Sequence, residues 1–329
     1  MNRELKILGV VVFFSLLTYY LVEPFAHHEM HKKVDANGAE IVIESHGFTY
    51  DGTDDIAEAE RKGDTALVEK KTIFWADVLE VSKLQGDVIS GEAVFANCAG
   101  CHNDMSMNMG GVIVPKLDHA GTMYDKNYLI ALIKDPAMAS NVDHKYADTS
   151  THPMGSIKFT VSDNQKIADV VAYILEKKAG EVTPKEAYDE ACVRCHALRY
   201  KKTTQLGETP AFKHKKDALA HEIKVIEEQE KVQAYMGNLP PDLSMMIRAR
   251  SSHFLETFVE NPQSQLPGTS MPRVGLSQEG YDKVEEYLTE AGDPSKKARE
   301  ELGPWVIGFF VIFTILAYLW KSSLWRGLH

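Results

Sequence analysis

The chain has 329 residues, enough for two domains, and its 44% hydrophobic and 25% charged content is that of an ordinary folded protein. Its 36 Lys and Arg against 47 Asp and Glu give a formal net charge of -11, which excludes nucleic acid as a partner because that binding needs a basic face. An acidic surface serves solubility and tunes encounters with basic proteins.

In chain order, residues 7–22 form an uncharged apolar run led by Arg3 and Lys6, a pattern shared by signal-peptide cores and membrane anchors. Pro24 stands where a cleavage site would need a small residue, so 1–26 is read as a retained N-terminal transmembrane anchor. His27, His28 and His31 follow directly, and histidines at a membrane surface are more often incidental than metal-binding. Residues 27–85 read as an extension or linker, because 38–71 is acidic and mixed with no strong period.

From Gly86 the pattern sharpens: Val88, Ala93, Val94 and Phe95 make one apolar face of a short helix that leads into Cys98-Ala99-Gly100-Cys101-His102. A second C-x-x-C-H, Cys192-Val193-Arg194-Cys195-His196, uses the remaining two of the 4 cysteines. This spacing supplies two thiols for the vinyl groups of a c-type haem and a histidine for its iron. A redox dithiol or half a zinc site would explain one C-x-x-C, but not two, each followed by histidine with no cysteine left over. Two covalently bound haem c groups are expected.

His152-Pro153-Met154-Gly155 comes about fifty residues after the first motif, followed by Ser162-Asp163-Asn164-Gln165, read as a capping box. Ile167, Val170, Val171, Ile174 and Leu175 then lie on one stripe of a helix. The order helix, C-x-x-C-H, loop, methionine, helix resembles the class I cytochrome c fold, in which the first and last helices cross and a loop methionine is the sixth iron ligand. That resemblance makes 86–180 a first cytochrome c domain and pairs Met154 with His102 on one iron. Met154 leads because it alone sits shortly before the closing helix. Met105, Met107, Met109, Met123 and Met138 are the competing methionines, and His152 would give a bis-histidine iron of lower potential.

The second unit, 181–301, repeats the order. Pro184, Ala187, Tyr188 and Ala191 lead into Cys192, and Leu266-Pro267-Gly268-Thr269-Ser270-Met271-Pro272 precedes a helix with Tyr281, Val284 and Leu288 on one side. Met271 therefore takes the place opposite His196, ahead of Met236, Met245 and Met246. Between them, 213–235 is a charged stretch with Leu219, Ile223 and Ile226 at helical spacing, read as a solvated helical insertion. Residues 302–320 are a second uncharged run, long enough for a ~30 Å hydrocarbon core at about 1.5 Å per residue. Trp305 and Trp320 sit at its edges and Lys321 and Arg326 follow, so 302–329 is a C-terminal anchor. The positive-inside rule then puts both termini in the cytoplasm and the stretch between the anchors across the membrane, where c-type haem is attached.

The second unit also resembles a narrower family. Glu190-Ala191-Cys192-Val193-Arg194-Cys195-His196-Ala197-Leu198-Arg199-Tyr200 and Gly237-Asn238-Leu239-Pro240-Pro241-Asp242-Leu243-Ser244, ending in Arg248-Ala249-Arg250, are similar to the two fingerprints of cytochrome c1, the haem subunit of ubiquinol:cytochrome c oxidoreductase. The likeness covers roughly 184–329, while the added first unit and N-terminal anchor match the dihaem subunits that replace cytochrome c1 in some bacterial complexes. It implies a mainly α protein: two class I cytochrome c-like domains in tandem between two transmembrane helices of the bacterial inner membrane, haem domains in the periplasm. Arg248 or Arg250 matches a family arginine that meets a haem propionate. Partners implied are cytochrome b and a Rieske iron-sulfur protein in a dimeric complex, membrane lipid, and a terminal oxidase or soluble cytochrome c as acceptor. The chain would have no substrate site of its own, and its first unit would act as a tethered substitute for a diffusing cytochrome. A dihaem subunit of a haem-copper oxidase, a dihaem peroxidase and a free membrane-tethered shuttle are the competing readings.

Overall fold

The computed structural model describes residues 2–26, 33–34, 40–41, 45–102, 112–142, 152–177 and 181–326. His27, His28, His31, Met105, Met107 and Met109 lie outside this set. The principal helices are α1 (Asn2–Leu17), α2 (Thr53–Arg61), α3 (Thr65–Ser82), α4 (Val88–His102), α5 (Lys126–Lys134), α6 (Asn164–Glu176), α7 (Pro184–Ala191), α8 (Lys215–Met236), α9 (Ser252–Glu260), α10 (Gln278–Gly292) and α11 (Lys296–Trp325). Strand structure among the described residues is confined to two antiparallel pairs of two-residue strands.

Two helices are long and apolar enough to cross a membrane, the 24-residue Arg3–Ala26, which continues α1 through a π-helical turn at Thr18–Val22, and the 30-residue α11. Their apolar stretches bury nothing against the protein, which is compatible with membrane anchoring. Lys321 Nζ meets Glu4 Oε1 at 2.8 Å, so the chain-terminal ends of the two helices lie side by side. At its other end α11 begins six residues before the apolar run, and Arg299 there holds Asp293, just past α10, in a two-pronged pair of 2.6 and 2.7 Å.

In the first unit α4 and α6 cross. Glycine is required at that crossing, because a Cβ on Gly91 would sit 2.0 Å from the Asp169 carbonyl oxygen and one on Gly86 2.3 Å from that of Ala168. The Phe95 and Tyr173 rings, centroids 5.1 Å apart, fill the space beside it. The apolar stripe of α6 is buried at Ile167, Val170, Val171 and Ile174, with Leu175 half-buried. The expected capping box differs in detail: Asp163 is the cap, accepting from Lys166 N at 3.0 Å, while the Gln165 side chain turns away to Asp169. A box with both of its bonds forms instead at α7, between Thr183 and Glu186.

In the second unit α7 packs across α10, with Tyr188 and Tyr287 5.3 Å apart. The two units share a core, beside which a smaller cluster of Tyr188, Val193, Leu198, Tyr287 and Ala291 belongs to the second alone. One cluster of buried side chains joins Phe95, Met123 and Val171 of the first to Ala187, Leu276 and Val284 of the second. The segment expected to be an extension or linker is built into it over 45–82: α2 and α3 form, and Phe48, Tyr50, Trp75, Val78 and Val81 are buried. Its charge pattern hid this, because Asp55 and Lys71, which read as solvated, are themselves buried. The insertion is the single helix α8, but Leu219, Ile223 and Ile226 face solvent while Glu228, Val232 and Met236 are buried.

Candidate functional site

α4 ends on the first C-x-x-C-H. Cys98, Cys101, His102 and Met154 all line one cavity of about 430 Å³, whose other walls include Val112, Leu117, Leu132 and Val170. The size and apolar lining suit a planar macrocycle, and a histidine and a methionine stand on the same space. His152 lines it too, its ring 4.1 Å from that of Tyr235. Met123 and Met138 are buried in packed interior instead.

His102 Nδ1 lies 2.9 Å from the Pro115 carbonyl oxygen. A carbonyl only accepts, so Nδ1 donates and the Nε2 lone pair is left for a metal. Burial pushes the His102 pKa down, with Arg194 acting the same way and the Pro115 bond opposing, which favours the neutral, ligating ring.

The second motif repeats this device. His196 Nδ1 donates to the Pro241 carbonyl at 2.8 Å, and burial again lowers its pKa. This gives the proline-proline-aspartate stretch a physical role. Its Asp242 accepts from Arg199 N and Ser244 N at 3.0 Å each, Leu243 N donates to Ala197 O at 3.0 Å, and Tyr200 N to Ser244 Oγ at 3.1 Å. The stretch is thereby stitched to the residues after His196, with Tyr188 supporting the His196 carbonyl at 3.0 Å. Met271 follows Ser270, whose Oγ would be 3.8 Å from a Cβ on Gly237, so its loop borders the start of the same stretch. Met236 is buried, and exposed Met245 accepts from Tyr200 OH at 2.9 Å.

The 4 cysteines form no disulfide. Burial raises the Cys98 and Cys195 thiols and pushes Cys192 up to about 12. A redox dithiol or a zinc site needs the opposite, a stabilised thiolate. The first set, which lines the cavity, fits covalent haem.

Sequence reasoning missed the far wall of the first cavity. It is formed by Arg194 from between the second pair of cysteines, Tyr235 from α8, and Pro272, Arg273 and Val274 from just after Met271. Contacts between units leave no periodic trace, so nothing in the pattern marks them. Arg248 and Arg250 are both exposed, Arg250 over the Phe254 ring at 5.1 Å and Arg248 near enough to Asp293 to help lower its carboxyl, so the arginines on the described cavity are Arg194 and Arg273.

The cytochrome c family profile matches residues 88–178, from the start of α4 to just past the end of α6. The chain is similar to cytochrome c1 of Allochromatium vinosum, 23% identical over a region covering 42% of this chain and 80% of the relative. No solved structure matches the chain. The matched span holds Cys98, Cys101, His102 and Met154, and a domain of this kind implies covalent haem c and electron transfer. The chain therefore carries a cytochrome c domain at residues 88–178.

Proposed function

We propose that the chain is the dihaem cytochrome c subunit of a bc1-type quinol-oxidising complex. Cys98 and Cys101 hold one haem and Cys192 and Cys195 the other, with His102 and Met154, and His196 and Met271, as the axial pairs. The observation that carries the two-site reading is the matched pair of bonds, His102 to Pro115 and His196 to Pro241. A structural histidine has no need of such a bond at both C-x-x-C-H motifs; a metal-binding one needs it to fix its tautomer.

Haem held at both motifs would supply one-electron relay chemistry, with the Cys192–His196 motif placed to receive electrons from a Rieske iron-sulfur protein and the Cys98–His102 motif to pass them to a terminal oxidase or soluble cytochrome c. The chain's own part is to fill both axial positions, which leaves no open coordination site and favours a carrier over a peroxidase. Similarity to a cytochrome c1 supports cytochrome b and Rieske protein as partners. The apolar terminal helices, with Glu4 beside Lys321, support two anchors whose termini share the cytoplasmic side of the bacterial inner membrane, the haem domains facing the periplasm.

Mild solubilisation of native membranes and isolation of this chain tests the reading. Recovery of a multi-span cytochrome b and a Rieske protein, with haem reduction by quinol blocked at the quinol site, is expected. Recovery with a haem-copper oxidase core alone, or of the chain by itself, would replace it with an oxidase subunit or a free tethered shuttle.

A further inference from the structure

The loop that carries Met271 is held from both halves of the chain, by its own unit up to Met271 and by the first half from Arg273. Within that unit, Gln263 Nε2 donates to Thr269 O at 2.6 Å and to Met271 O at 3.4 Å, Gly268 N donates to Gln263 Oε1 at 3.2 Å, Thr269 N to Leu266 O at 3.0 Å, and Met271 N to Thr269 Oγ1 at 3.4 Å. From Arg273 onward every anchor comes from the first half of the chain. Arg273 N donates to Ser140 O at 3.0 Å, and Arg273 O accepts from Tyr128 OH at 2.6 Å. Asp125 N donates to Gly275 O at 3.0 Å, Tyr50 OH to Leu276 O at 3.2 Å, and Ser277 N to Met123 O at 2.8 Å.

The guanidinium of Arg273 makes the strongest of these links. Nη2 donates to Asp55 Oδ1 at 2.6 Å and Nη1 to Asp55 Oδ2 at 3.1 Å, a two-pronged pair between side chains only 4% and 1% exposed. Asp55 is itself fixed by Trp75 Nε1 at 2.9 Å. A pair this deep is a poor source of net stability, since desolvation of both charges offsets most of the attraction. It is a good source of position, because neither charge can leave its partner without being stranded in the interior.

We propose that Arg273 is a positioning residue for the second haem iron: through Asp55 it fixes the loop that presents Met271, so that segment 45–82 determines whether that iron keeps its methionine. This rests on the reading of Met271 as an axial ligand. Arg273 lies two residues from that sulfur, and a rigid attachment there removes conformations in which the thioether is withdrawn. The same attachment presents Pro272, Arg273 and Val274 to the first cavity, so one short strap serves both sites.

The test uses the full haem-loaded chain and the weak long-wavelength sulfur-to-iron band of methionine-ligated ferric haem. Removing both charges in the Asp55→Asn/Arg273→Gln double variant avoids a stranded ion, so the helical signal and haem content should survive. The band is expected to fall by about half, one of two haems, and one midpoint potential to drop far more than the other, whose cavity Arg273 also lines. Met271→His in the native background must produce the same half-loss. If Met271→His leaves the band whole, the ligand assignment and the positioning role both fall. If Met271→His removes half of it while the double variant keeps the full band and both potentials, only the positioning role falls. Arg273→Lys, which keeps the charge and loses the fork, covers the case of a double variant that does not fold. In urea its band should disappear further ahead of the helical signal than it does in the native chain, whereas an unchanged margin would overturn the proposal.

Discussion

His102 and His196 show how far a single residue can be read. Their place after a C-x-x-C pair is local information and stands in the sequence, whereas the carbonyls that orient them come from Pro115 and Pro241, 13 and 45 residues on. Nothing in the local sequence assigns Arg194 or Arg273 to the first cavity, and only folding brings them there. Glu190 is a further residue whose behaviour follows from its surroundings. Burial chiefly, helped by Asp118, pushes its pKa up to about 7, and its Oε1 is buried without a hydrogen bond. The folded state therefore holds a proton that the unfolded chain releases near the ordinary value of 4.5. The resulting stabilisation is complete below that value and is lost as pH rises through about 7, up to about 3 kcal/mol in all. Glu190→Gln should therefore gain stability over the native chain at pH ~8 and little at pH ~4, compared by urea unfolding; an equal difference at both would show that Glu190 is not held protonated.

At the scale of elements, the sequence discloses what repeats along one helix. The stripe from Ile167 to Ile174 faces the core as its period demands. In α8 the same kind of period misleads: Leu219, Ile223 and Ile226 point outward, and the helix docks instead by Val232 and Met236 near its C-terminal end, where Tyr235 reaches the first cavity. Segment 45–82 fails for a different reason, because its buried Asp55 and Lys71 are charged and cancel the apolar signal of Trp75, Val78 and Val81. The α4 and α6 crossing makes a direct prediction. Gly91→Ala places a methyl group 2.0 Å from the Asp169 carbonyl, so the helices must separate. A loss of about 3 kcal/mol is expected by thermal or urea unfolding of the haem-loaded protein; a loss below ~0.5 kcal/mol would mean that the helices do not meet there.

Over the whole molecule, the sequence displays two C-x-x-C-H motifs and two long apolar runs, but not that the segments around the two motifs share a core. Leu276, Tyr281 and Val284 of the second unit pack with Met123 and Tyr128 of the first. Cutting at residue 180 should therefore yield a first unit, 45–180, that exposes apolar surface, binds a hydrophobic dye and retains little ordered haem. Residues 45–295, without either terminal helix, should stay folded and soluble, since those helices bury nothing against the rest. A well-ordered 45–180 fragment would contradict the shared core. The cavity wall formed by residues 272–274 also bears on biogenesis. On the proposed periplasmic placement, a chain exported from its N-terminus would present Cys98 and Cys101 long before Pro272 emerges, so its first chamber would stay open on one side throughout that interval. Haem attachment would then have its access while translocation is still under way, and the arrival of the last third of the polypeptide would shut the door behind the cofactor.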